Sequence, residues 1–78
     1  MFNNVKLYPN PANKKLYIEG EDIVKVILYD LMGKIILVKQ TNIRQWVSLD
    51  ISTLTDGIYM LKVVGKNKVY TRKVQIQL

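Results

Sequence analysis

Apolar and polar residues alternate along most of this chain in short stretches, broken by glycine, proline, asparagine and aspartate. A period of two is the pattern of strands with one buried face, and the breaks are turn chemistry. In the most apolar stretch, Ile58 to Val64, Tyr59, Leu61 and Val63 share one face and Ile58, Met60, Lys62 and Val64 the other. Lys62 is its one charged residue. The stretch therefore predicts a central strand with partners on both sides and at least one buried face. Asp56-Gly57 supplies a turn before it, and Gly65-Lys66-Asn67-Lys68 a tight turn after it.

The rest of the chain divides in the same way. Val5 to Tyr8 is a short alternating run ended by Pro9-Asn10-Pro11. Two prolines fix φ and remove two donors, so a corner between edge strands is expected there. Lys15 to Glu19 is the second strand, with Leu16 and Ile18 inward and Tyr17 outward, and Gly20-Glu21-Asp22 reads as a polar turn. Ile23 to Tyr29 is the third strand. Asp30-Leu31-Met32-Gly33 reads as a hairpin in which the Asp30 carboxylate takes an N–H two residues on and Gly33 goes left-handed. Gly33 to Lys39 follows, and its Ile35-Ile36-Leu37-Val38 run predicts burial on both faces or a covered edge. Gln40 to Arg44 reads as a loop, and Gln45 to Asp50 as a strand with Val47 and Leu49 inward and Trp46 outward. Asp50 to Leu54 is a crossover in which Asp50 or Ser52 caps one helical turn and Leu54 plugs the core. Val69 to Leu78 closes the chain, with Val74, Ile76 and Leu78 on one face and Lys73, Gln75 and Gln77 on the other. The count is about seven short antiparallel strands at roughly eight-to-twelve-residue spacing, which favours a β-sandwich over a barrel or a helical fold.

Composition narrows the chemistry. With 78 residues, one domain is the ceiling, and no cysteine is present to staple it. There is also no histidine, so imidazole bases, Ser-His-Asp arrangements, thiol nucleophiles and ordinary zinc sites are excluded. Asp30, Asp50 and Asp56 sit at turn positions, and Glu19, Glu21 and Asp22 lack the spacing of a calcium loop. The four glycines are isolated, so no phosphate-cradling loop exists. Catalysis, metal and cofactor are not expected. A formal charge of +6 invites an anionic partner, but the bases alternate with apolar residues as a solvated face would, without a nucleic-acid motif. No apolar run approaches the ~20 residues of a membrane helix, and Met1 to Lys6 has no signal-peptide core.

Several local patterns occur in a definite order: Tyr8-Pro9-Asn10-Pro11, then Tyr29-Asp30-Leu31-Met32-Gly33, then Leu54-Thr55-Asp56-Gly57-Ile58-Tyr59, then Arg72-Lys73-Val74. In this order the chain resembles the C-terminal sorting domain of the type IX secretion system. The resemblance spans nearly all of it, residues 1–78 as one domain. It implies an immunoglobulin-like sandwich of about seven antiparallel strands at the C-terminus of an exported protein, from which this chain, opening at Met1, would be excised. It further implies a non-catalytic address read by an outer-membrane translocon and its shuttle protein, and removed by a surface sortase, with the cargo passing through the periplasm to the cell surface or medium. The family's recurrent positions fall on Pro9, Asn10, Pro11, Tyr29, Asp30, Gly33, Leu54, Gly57, Tyr59 and Lys73. A second late lysine, common in relatives, is absent from Val74-Gln75-Ile76-Gln77-Leu78.

An address needs a recognisable surface on a small folded unit. The last strand is the candidate, offering an edge for β-augmentation with Lys73, Gln75 and Gln77 as its outward signature. Exposed edges could also pair two copies. A second reading, of another class, is a carbohydrate-binding or adhesion sandwich in which Trp46 and the tyrosines stack on sugars; aromatics gathered on one exposed face would favour it.

Overall fold

A computed structural model describes residues 5–9, 12 and 14–77 of the chain. It is all-β and antiparallel, with strands β1 (Lys6–Tyr8), β2 (Lys15–Tyr29), β3 (Ile35–Asp50), β4 (Gly57–Gly65) and β5 (Val69–Ile76). The described strands form one curled sheet in the order β1-β2-β4-β5, with β3 pairing along the other side of β2. The last part of the final strand, Leu78, lies outside the described residues.

The expected count of seven falls to five because two predicted breaks are strand. Gly20-Glu21-Asp22 lies inside β2, and Gln40 to Arg44 lies inside β3. The polar residues there do not end pairing. They bend it. Between the pairs Glu19–Trp46 and Ile23–Arg44, β2 advances four residues while β3 advances two; between Ile23–Arg44 and Lys25–Gln40, β2 advances two and β3 four. Each strand thus carries extra residues that the other lacks, and such bulges bend and twist a ladder without breaking it. Each bulge holds one left-handed residue, Asp22 at φ 51° and Ile43 at φ 47°.

Side chains brace the two bends. Asp22 and Gln45 exchange two hydrogen bonds: Gln45 Nε2 donates to Asp22 Oδ1 at 3.0 Å, and the Asp22 N–H donates to Gln45 Oε1 at 3.2 Å. The Thr41 hydroxyl donates to the Ile23 carbonyl at 2.6 Å. Beyond the bend β2 changes partner. Its first arm pairs with β1 and its second with β4, while β3 follows both.

The bend gathers the core. Leu16 and Ile18 from the first arm of β2 and Val26 and Leu28 from the second are fully buried in one cluster. Val47 and Leu49 of β3, Tyr59, Leu61 and Val63 of β4, and Val74 and Ile76 of β5 join them. The inward residues expected in these strands are therefore inward, and β4 has β2 and β5 as partners. Two expectations fail. The run Ile35 to Val38 is only partly covered: Ile36 and Leu37 pack against the core, but β3 is an edge among the described strands, and Ile35 and Val38 stay more than half exposed. The crossover Asp50 to Leu54 is a turn without an assigned helix, and its plug is the fully buried Ile51, with Leu54 only half-buried against the core.

Ile43 is the costliest backbone position in this account. A β-branched residue in the left-handed region is strained by about 1–3 kcal/mol, and its side chain is half exposed, so little packing repays the strain. Ile43→Asn, which tolerates that region, is expected to raise stability by about 1 kcal/mol in urea unfolding. An unchanged or lower midpoint would contradict the strain.

Candidate functional site

The positions marked by the sequence divide into those that hold turns and those that face outward. Asp30 belongs to the first group. Its Oδ1 accepts from the N–H groups of Met32 and Lys34, each at 2.9 Å. The Asp30 carbonyl accepts from the Gly33 N–H at 3.1 Å, and the Asp30 N–H donates to the Lys34 carbonyl at 2.9 Å. Gly33 takes φ 87°, where a side chain would be strained. One carboxylate and one glycine thus close the hairpin between β2 and β3, as their spacing predicted.

Leu54, Gly57 and Tyr59 form a second device. Gly57 opens β4 at φ 154° opposite Ile76. Tyr59 is buried, and its hydroxyl donates to the Thr55 carbonyl at 2.7 Å while lying 3.2 Å from the Thr55 hydroxyl. A buried phenol needs such a partner. Its bond ties the incoming loop to the strand, and Leu54, in that loop, packs against the core. Asp50 holds the preceding turn, accepting from the Ser52 N–H at 3.0 Å and the Ser52 hydroxyl at 2.7 Å. These bonds, the hydroxyl's first, hold the Asp50 carboxyl below its ordinary value. Their contribution is complete above the ordinary carboxylate range and is lost as pH falls through the lowered value.

Tyr29 and Lys73, far apart in sequence, come to the same row. Tyr29 lies opposite Met60, and Met60 opposite Lys73, so one line crosses β2, β4 and β5 on the outward face. The neighbouring rows are Ile58–Gln75 on one side and Ile27–Lys62–Thr71 on the other. The Lys62 ammonium sits over the Tyr29 ring, 5.8 Å from its centroid. The result is a face of apolar surface with two lysines, Tyr29, Met60 and Lys62 half-buried and Lys73 and Gln75 exposed. Gln77, also exposed, lies just beyond β5.

The edge of β5 is less open than expected. The Ala12 N–H donates to the Gln75 carbonyl at 2.9 Å, and the Gln77 N–H donates to the Ala12 carbonyl at 2.8 Å. Ala12 therefore takes the end of this edge as a parallel bridge to Ile76. An added strand could not use those groups. Pro9 is exposed after β1, with Tyr8–Pro9 cis; Asn10 and Pro11 lie outside the described residues.

The carboxylates of the Glu19–Asp22 stretch go separate ways: Glu19 to Tyr8, and Asp22 to Gln45. No group of three or more residues able to hold a metal occurs among the described residues. One grouping is of the kind that the sugar-binding reading called for, though the sequence did not say which tyrosines join Trp46. Tyr8, Tyr17 and Trp46 gather on the outward face where β1, β2 and β3 run together. Alternation pointed Tyr17 and Trp46 outward, but only the register brings the rings into contact.

The hairpin bonds carry a direct test. Asp30→Ala leaves two turn N–H groups without their carboxylate, and the expected cost is about 1–2 kcal/mol. Amide exchange at Met32 and Lys34 should accelerate with it. Unaltered exchange at both would refute the role given to Asp30.

No curated protein matches the chain. The family described as secretion system C-terminal sorting domain matches residues 6–77. That span covers both turn devices, the outward row and nearly the whole sheet. The chain belongs to the family of type IX secretion C-terminal sorting domains.

Proposed function

We propose that residues 1–78 work as a single non-catalytic address at the C-terminus of an exported protein. The address directs its cargo across the outer membrane through the type IX system and is then removed by a surface sortase. The observation that carries this reading is the family match over residues 6–77. Its partners are the translocon, a shuttle protein and the sortase, and its route runs from the periplasm to the cell surface or the medium. The address reading gives the chain no part in catalysis: Asp22, Asp30 and Asp50 serve bends and turns, and it offers neither histidine nor cysteine.

The surface that reads as the address is the outward face of β2, β4 and β5, where Tyr29, Met60 and Lys73 align beside Gln75. Asp30, Gly33, Leu54, Gly57 and Tyr59 recur because they hold the turns that present this face.

The bent sheet is an immunoglobulin-like sandwich in this proposal, with β2 and β3 each serving as two strands. Support comes from the change of partner at the bend and from the single core shared by both arms. The Tyr59 bond to the Thr55 carbonyl adds to it, because a tyrosine tied to upstream backbone marks the corner of such sandwiches.

Fusing residues 1–78 behind a periplasmically exported fluorescent reporter tests the address. The hosts are type IX-competent cells and the same cells lacking the translocon. Reporter should reach the surface or the medium only when the translocon is present. Retention in the periplasm of both hosts, with the fused domain folded, would overturn the reading.

A further inference from the structure

The aromatic grouping on the other arm has its own chemistry. Tyr8 lies opposite Tyr17, and Glu19 opposite Trp46, on the outward face of β1, β2 and β3. Tyr8 and Tyr17 stack with centroids 5.6 Å apart and planes at 23°. Tyr17 and Trp46 lie 6.4 Å apart at 49°, so a wedge opens between them. Trp46 is 58% and Tyr8 42% exposed, and an open cleft of about 350 Å³ is lined by these three rings and Glu19. The Tyr8 hydroxyl donates to Glu19 Oε2 at 2.7 Å and so fixes the carboxylate at the cleft. That bond, ahead of burial and the Glu19 charge, raises the hydroxyl's pKa above its ordinary value and keeps it a donor.

Among the described residues the lining is three π systems and a carboxylate, in a chain of net charge +6 whose nearest cations are Lys6, opposite Glu19, and Lys39 and Arg44 in the adjoining hollow that shares Trp46. Ring faces carry the negative end of a quadrupole, and the carboxylate adds a full charge; together they select a positive ligand. Among the described strands the cleft is also flanked by two sheet edges, the short β1 and the outer side of β3, where the Lys39 ammonium already donates to the Ser48 carbonyl at 2.8 Å. A strand added at either edge projects alternate side chains over the same face. We propose that this cleft receives the cationic side chain, lysine or arginine, of a partner polypeptide lying in extended form across β1, β2 and β3. The site is separate from the outward face of β4 and β5 and does not depend on that face being the address. Lys6 lies opposite Glu19 and is the chain's own competitor for the carboxylate.

Trp46 is the sole tryptophan, so its emission reports on this cleft directly. The 78-residue chain is titrated with a capped Thr-Lys-Thr peptide, its norleucine counterpart, tetramethylammonium and a neutral glucose oligomer. The lysine peptide should produce a saturable change, with affinity on the order of millimolar, and exceed the norleucine peptide by roughly five-fold. Glu19→Gln, with its thermal midpoint unchanged, should remove most of that preference, and Lys6→Ala should strengthen binding. A saturable response to the sugar alone would overturn the proposal in favour of a glycan platform. Tighter binding of tetramethylammonium than of the lysine peptide would replace the polypeptide with a free organic cation. Equal binding of the lysine and norleucine peptides, or no saturable response, would also overturn it.

Discussion

Everything in this domain depends on the paired bend of β2 and β3. A straight ladder of this length would carry its apolar stripe along one open face. Bent at Gly20 to Ile23 and at Thr41 to Arg44, it folds Leu16 and Ile18 into the same cluster as Val26 and Leu28. The Asp22–Gln45 exchange and the Thr41 bond to Ile23 join the two bends, so neither strand can straighten alone. A chain of this size without disulfides has only such closure to make a core. The left-handed residues Asp22 and Ile43 are the cost of that geometry.

The positions singled out by the resemblance then take on physical meaning. Asp30 and Gly33 set the register of β3 on β2 through one hairpin. Gly57 and Tyr59 set where β4 begins and tie its loop to the core. Shifting either device by one residue would turn the inward row outward. These positions hold the frame, while the faces proposed for partners are built from outward side chains. The frame presents two such faces, one mixing apolar surface with lysine and one of aromatic rings around a carboxylate.

Strand faces were legible in the sequence wherever alternation was clean. Leu16, Ile18, Val47, Leu49, Tyr59, Leu61 and Val63 all point where their parity placed them. The Asp30 hairpin was legible too, because its carboxylate acts within four residues. The bends were not, since Gly20-Glu21-Asp22 and Gln40 to Arg44 have turn composition whether a chain reverses or merely bulges. What separates the two outcomes is a partner such as Gln45, twenty-three residues from Asp22. The Ala12 bridge over β5 and the Tyr29–Met60–Lys73 row were hidden for the same reason: each is a matter of register between distant strands. Ile35 to Val38 misled because an apolar run signals burial only when something covers it.

The central claim is that the outward face is read by the secretion system while the turn residues serve folding. Export of the reporter fusion, measured beside the thermal midpoint of each isolated domain, tests it most directly. Lys73→Glu combined with Gln75→Ala should leave the midpoint within a few degrees and reduce export roughly ten-fold or more, as loss of a contact at the centre of an interface does. Tyr59→Phe should lower the midpoint yet export in proportion to the folded fraction. Normal export by the outward-face variant, with export following stability alone across the set, would contradict the account.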